Sequence, residues 1–208
     1  MRPFCLVLLL LFAAGPALAE DCTKDVVAAF EKQRTSKAFR VELSQPTAEG
    51  EAKMTIDYMP PDKMLQTVAS PSMPGEQQTM LVGNRAFAGT SGNFEELQPQ
   101  FTQSIVAEVK TAIGGPPQNL GTFECLGAAK LDSRDFVAYR TADKVTPGTD
   151  PEKVIARTIY VDPATRLPAF NVVATLAGSD APLMKVKYSY PADIEIIAPQ
   201  NAPAQKDH

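Results

Sequence analysis

The sequence predicts an α+β fold, a half-barrel in which one strongly curled antiparallel sheet of about ten strands carries helices across its concave face. Three observations predict it. Short runs of alternating apolar and polar residues recur along most of the chain, each bounded by Gly, Pro, Asn or Asp. Only two segments carry an apolar stripe of helical period. Connections stay short and no fixed-period repeat is present, so successive strands return antiparallel, and so many strands in one sheet force it to curl.

The chain has 208 residues. Residues 1–19 combine Arg2, an apolar run from Leu6 to Ala14 and a small-x-small end at Ala17-Leu18-Ala19, the pattern of a secretory signal peptide cleaved after Ala19. The run is shorter than the roughly 20 residues a membrane span needs. Glu20 and Asp21 separate Ala19 from Cys22, so no lipid-attachment cysteine follows the cleavage site. A soluble periplasmic product is expected. Cleavage removes Cys5 and leaves Cys22 and Cys125 in an oxidising compartment, where they are expected to form a disulfide; two buried free thiols are the alternative.

From Asp21 to Lys37 a helix is expected, with Asp21 or Thr23 as cap and Cys22, Val26, Ala29 and Phe30 as its stripe. Phe39, Val41 and Leu43 then alternate with polar neighbours, as do Ala52, Met54, Ile56 and Tyr58, with a turn at Pro46 to Gly50. Pro60-Pro61-Asp62 ends that strand, and the next runs from Lys63 to Ala69. Gln78 to Val82 and Arg85 to Gly89 flank a tight Gly83-Asn84 turn. A second helix is expected from Pro99 to Ile113, on the stripe Phe101, Ile105, Val109 and Ile113, stopped by Gly114-Gly115-Pro116-Pro117. Strands follow over Gly121–Ala129, Phe136–Ala142, Val154–Val161, Leu167–Leu176 and Leu183–Tyr190, with a short closing strand at Ile194–Ile197. The loop from Asp143 to Pro151 is expected to be mobile. The half-barrel thus spans residues 20–198, and residues 199–208 are expected to fray.

Composition removes several function classes. A net charge of -4 and a pI near 5.1 leave no basic footprint for nucleic acid. The single histidine, His208, offers no base for a serine triad and no ligand for a zinc site within the fold. Gly89-Thr90-Ser91-Gly92 lacks nucleophile-elbow spacing and reads as a turn. Neither Asp132 and Asp135 nor Asp143 and Asp150 make a calcium loop. No catalytic residue, metal or cofactor is expected.

Several segments, taken in order, resemble the lipoprotein-localisation (LolA/LolB-like) half-barrel superfamily. They are the amino-terminal helix, Tyr58-Met59-Pro60-Pro61-Asp62-Lys63, Leu81-Val82-Gly83-Asn84-Arg85-Ala86-Phe87, Gly92-Asn93-Phe94-Glu95-Glu96-Leu97, the run from Ile159 to Pro168 and Lys187-Tyr188-Ser189-Tyr190. The resemblance spans about Asp21 to Pro199 and implies an incomplete barrel that holds acyl chains or a protruding apolar segment between sheet and helices. The chain departs from the carriers in having Met54-Thr55-Ile56-Asp57-Tyr58 where they carry an aromatic-arginine-tryptophan strand, and in having no tryptophan.

Flexible, polarisable methionines suit a wall that accepts varied acyl chains. The ligand-facing wall is therefore expected to draw Phe39 and Leu43, Met54, Ile56 and Tyr58, Met64 and Met80, and Tyr188 and Tyr190 from successive strands, with Arg40 toward a head group or partner loop. Arg157 stands out on the parity of Ile155, Ile159 and Val161, and either snorkels or pairs with a carboxylate across the sheet. Lys185 and Lys187 read as a solvated edge. The expected function is non-catalytic sequestration or carriage of a lipid or lipidated protein by a monomer that does not insert in the membrane. The alternative is an envelope interaction or sensor protein whose trough is filled by its own helices and which binds a protein partner.

Overall fold

The computed structural model describes residues 21–117, 120–142, 148–178 and 182–205. The expected signal peptide lies outside these residues, as do residues 143–147 of the loop expected to be mobile. Helix α1 (Thr23–Arg34) buries Val26, Ala29 and Phe30, with Cys22 buried just before it, so its stripe is the expected one. It stops at Arg34, short of Lys37.

Strands β1 (Phe39–Thr47), β2 (Gly50–Met59), β3 (Lys63–Ala69), β4 (Gln77–Val82), β5 (Arg85–Thr90) and β6 (Asn93–Glu96) precede helix α2 (Pro99–Ile113). After it come β7 (Glu124–Leu131), β8 (Arg134–Ala142), β9 (Ile155–Val161), β10 (Pro168–Thr175) and β11 (Met184–Ser189). All eleven strands join one antiparallel sheet in the order β6-β5-β4-β3-β2-β1-β11-β10-β9-β8-β7, which does not close on itself. The strand beyond the expected ten is β6, whose four residues are too few to show periodicity. It depends on Gly89, where a Cβ would come within 2.0 Å of the Asn93 carbonyl oxygen.

Both faces of the sheet are partly dry. On the concave face α1 packs on Tyr139, Ile159 and Val161, while Val109 and Ile113 of α2 pack on Phe39, Tyr58, Met64, Leu81 and Ala86. The outer face carries two further clusters, one of Met80 and Phe87 with Ile194 and Ile196, and one of Phe136, Ala169 and Phe170. Residues 194–197 therefore form no closing strand. Ile194 and Ile196 alternate inward because an extended strap lies across the outer face, and Ile197 on the solvent side of the strap is 63% exposed. The tail is docked as far as Gln205 rather than frayed, since Glu96 N donates to Pro203 O at 2.8 Å and Gln205 N donates to Glu96 O at 2.9 Å. Those bonds occupy the free edge of β6.

Cys22 and Cys125 form the expected disulfide, with Cα atoms 5.5 Å apart. Beside it, Cys22 N donates to Phe123 O at 2.8 Å and Phe123 N donates to Thr23 Oγ1 at 2.9 Å, so three ties hold the start of α1 to the chain leading into β7. Arg34 caps the far end of the other helix by donating to the carbonyls of Thr111 and Gly115.

The turn from β9 to β10 is organised by Asp162, whose Oδ1 accepts from Ala164 N, Thr165 N and Thr165 Oγ1 at 2.8–3.0 Å. The backbone bond from Thr165 leads the effects that hold this carboxyl below its usual range. A lowered carboxyl pKa adds stability above the unfolded value near 3.8, and that stability is lost as pH falls through the folded value. We expect Asp162→Ala to cost about 1 kcal/mol in urea unfolding at pH 7, with the gap to wild type narrowing below about pH 4. A gap that is constant with pH would contradict the assignment.

Candidate functional site

Strand register divides the concave face into a covered half and an open half. The row Phe39, Tyr58, Met64, Leu81 and Ala86 runs strand to strand beneath α2. Farther along the strands, Val68 faces Met54, Met54 faces Leu43, and Leu43 faces Val186. Met184 and Val173 face each other one step beyond. These side chains form an apolar strip that, apart from the buried Val186, is only half-buried. The stripe of α2 is unsealed toward its start as well, where Phe101 is 52% exposed although Val109 and Ile113 on the same stripe are buried.

Polar wings flank the strip. On one side a hollow of about 680 Å³ is lined by Gln66, Val68, Gln77, Thr79, Thr90 and Asn93, of which Gln66 and Val68 share the face of Met64, and Thr79 and Gln77 that of Leu81. Its glutamines are held in place: Gln77 accepts from Thr90 Oγ1 at 3.1 Å, and Gln66 donates to the Met54 sulfur at 3.7 Å. On the other side stand Asn171 and Arg157, with Arg157 Nε donating to Asn171 Oδ1 at 3.0 Å.

The residues expected to form the wall separate into three groups. Leu43 and Met54 lie on the open strip. Phe39, Tyr58 and Met64 are buried under α2, with Ile56 and Tyr190 packed against the same cluster, and Tyr188 meets Phe30 of α1 edge-on at 6.0 Å. These line the trough but are sealed by the protein's own helices. Met80 and Arg40 are on the outer face. Met80 lies under the strap with Ile194 and Ile196, and Arg40 makes a two-pronged bond to Asp57, Nε–Oδ1 2.6 Å and Nη2–Oδ2 2.8 Å. Asp57 sits directly across the hairpin from Arg40, so the pair was readable from the turn centre.

Lys185 and Lys187 are on the outer face too, but β11 is an interior strand, and they pair with Asp132 and Glu42 instead of marking an edge. Sequence reading missed Val68, Val173, Met184 and Val186 as floor residues. Their parity was visible; which face it served was not.

Tyrosines rim the covered half. Tyr190 OH donates to Pro168 O at 2.7 Å and accepts from Gln33 Nε2 at 3.1 Å, which satisfies the buried Gln33. Burial pushes the Tyr58 phenol up to about 12, and raises Tyr139, Tyr188 and Tyr190 as well as Tyr160, which packs beside Phe136 on the outer face. These are all five tyrosines of the chain. A raised phenol pKa gives stability that is full below the unfolded value near 10 and lost as pH climbs toward the folded value. Phenolate absorbance in the native protein should therefore lag that of the urea-unfolded chain above pH 10 and appear together with unfolding. Coincident titration curves would contradict the packing of these rings.

Among the described residues, one group has the ligand types and spacing of a metal site, Cys22, Asp25 and Cys125. Its two sulfurs are bonded to each other and cannot act as thiolates. No helix of the described residues is long and apolar enough to cross a membrane.

No protein-family model and no curated protein matches the sequence. Among solved structures, LprF from Mycobacterium bovis is similar at 12% identity and a TM-score of 0.49, over 85% of this chain and 96% of that one. An uncharacterized conserved protein from Thermus thermophilus is similar at 12% identity and 0.48, over 88% and 98%. A LolA superfamily protein from Nitrosomonas europaea is similar at 10% identity and 0.32, over 82% and 92%. The open, curled sheet of eleven antiparallel strands with two helices on its concave face is the α+β half-barrel that the sequence predicts.

Proposed function

We propose that the protein is an exported binding module of the cell envelope that holds an apolar chain, from a lipid or a lipidated protein, in the open half of its trough without chemistry. The observation that carries this reading is the half-exposed strip of Leu43, Met54, Val68, Val173 and Met184 on a face whose other half is sealed by helices. Burying six methylenes there would contribute roughly 5 kcal/mol, enough for a chain to bind without any bond being made. Methionines at two of the five positions let the strip adjust to chains of different shape. Residues 1–19 support the assignment to the periplasm, and the disulfide suits an oxidising compartment.

A second reading has its own observation. Phe39, Tyr58 and Met64 are already covered by α2, so the trough is partly filled from within, as an envelope protein that engages a protein partner through its surface would have it. Extraction of the purified protein with organic solvent distinguishes the two. A bound chain raises apparent stability by mass action, so extraction lowers the thermal midpoint and added lipid restores it. A midpoint indifferent to both treatments would favour the protein-partner reading.

A further inference from the structure

The geometry points to an oxyanion seat on the trough floor, formed by Arg157 with Asn171, that selects an acidic head group on the bound apolar chain. The inference rests on the reading of the trough as a site for such chains.

Arg157 is unlike the other arginines of the sheet. Arg40, Arg85, Arg134 and Arg140 face outward and are paired with Asp57, Glu96, Asp162 and Glu124. On strands β1–β6 and β8–β11, Arg157 is the one cation on the helix-covered side. Its register partners are Val173 and Thr141, and Ile159 two residues on belongs to the cluster under α1. Among the described residues no carboxylate pairs with it, and the bond it makes goes from Nε to the neutral Oδ1 of Asn171, which is 8% exposed. Of the two expectations from sequence, snorkelling or a carboxylate across the sheet, the second is replaced by a cross-strand amide.

A half-buried guanidinium without a counter-charge is costly to keep. Bonding through Nε fixes the plane of the group and leaves the two Nη nitrogens, a planar fork matched to carboxylate or phosphate oxygens. Beside this fork lies the apolar strip, since Val173 is cross-strand neighbour to both Arg157 and Met184. The opposite wing, with Gln66, Gln77 and Thr79, offers no cation. A chain lying on the strip with its acidic end toward β9 would meet positive charge there and apolar surface along its length. Arg157 also acts on Tyr188, where its charge opposes the upward push of burial on the phenol, so it is coupled to the covered core as well.

Carboxylate and phosphate share the chemistry required, and matched probes separate them. The delipidated protein is titrated with dodecanoate, dodecyl phosphate and 1-dodecanol near neutral pH, each below its aggregation limit. At least one acid should bind about ten- to hundredfold more tightly than the alcohol, as a charge-assisted bidentate contact supplies, and its identity names the head group. Arg157→Gln should bring the acids down to the affinity of the alcohol while the alcohol's own affinity stays the same, which also shows that the variant is folded. Arg157→Lys should recover part of the difference. Equal affinities for acid and alcohol in the wild type, or an acid preference that survives Arg157→Gln, would overturn the oxyanion seat and leave the trough reading standing. Failure of all three probes to bind would overturn the trough reading, and the seat with it.

Discussion

Replacing Cys22 and Cys125 together by serine lowers the stability of the folded protein by about 4–5 kcal/mol on the chain-entropy estimate for a loop of this length, seen as a fall in thermal midpoint of about 10–15 °C. The bond joins residues 103 apart, so its loss frees in the unfolded chain the whole segment from α1 through α2. In the folded state little else changes. The bonds from Cys22 N to Phe123 O and from Phe123 N to Thr23 Oγ1 remain, and Val26, Ala29 and Phe30 stay packed on Tyr139 and Ile159. Circular dichroism of the double variant at low temperature should therefore match wild type, while its melt shifts. A midpoint within about 2 °C of wild type would mean that the cross-link constrains a chain already held together when unfolded.

Placing a carboxylate on the open strip has the other large effect. Met54→Asp should weaken binding of a dodecyl or longer chain by about a hundredfold or more, because the new charge must be stripped of water against an apolar ligand. Met54 is half-buried and its sulfur accepts from Gln66 Nε2 at 3.7 Å, so the free protein can keep the new side chain hydrated. Met80→Ala is the contrasting case. That methionine packs under the strap on the outer face, so the substitution should lower stability and leave affinity unchanged. If binding responds to Met80 and ignores Met54, the ligand occupies a different face.

The reason Met80 misleads is general to this fold. Period-two alternation tells which side chains of a strand are dry, and it assigns a face only if the other side of the sheet is wet. Here Phe87 and Met80 are dry on the outer face because the strap covers them, and Phe136 and Phe170 are dry there because they pack edge-on at 5.6 Å. Local signals, by contrast, were read correctly. The stripe of α1 and the turns at Gly83-Asn84 and between β2 and β3 follow from residues near one another in sequence.

Long-range pairing had no such signal. Strands β1 and β11 meet through Val41 and Tyr188, or Glu42 and Lys187, far apart in sequence, and that junction makes one sheet of two halves. The open strip exists only once Leu43 lies beside Val186. Likewise Arg157 was visible as an oddity, whereas its amide partner Asn171 required the register of β9 with β10. Topology decided the site more than residue type did.

Native mass spectrometry of the protein purified gently from an exporting bacterium shows whether the open half of the trough holds an apolar chain. A discrete added mass is expected, released on activation as a single amphiphile and lost from the Met54→Asp variant. An unadorned chain mass that stays unchanged after incubation with envelope lipids would contradict it.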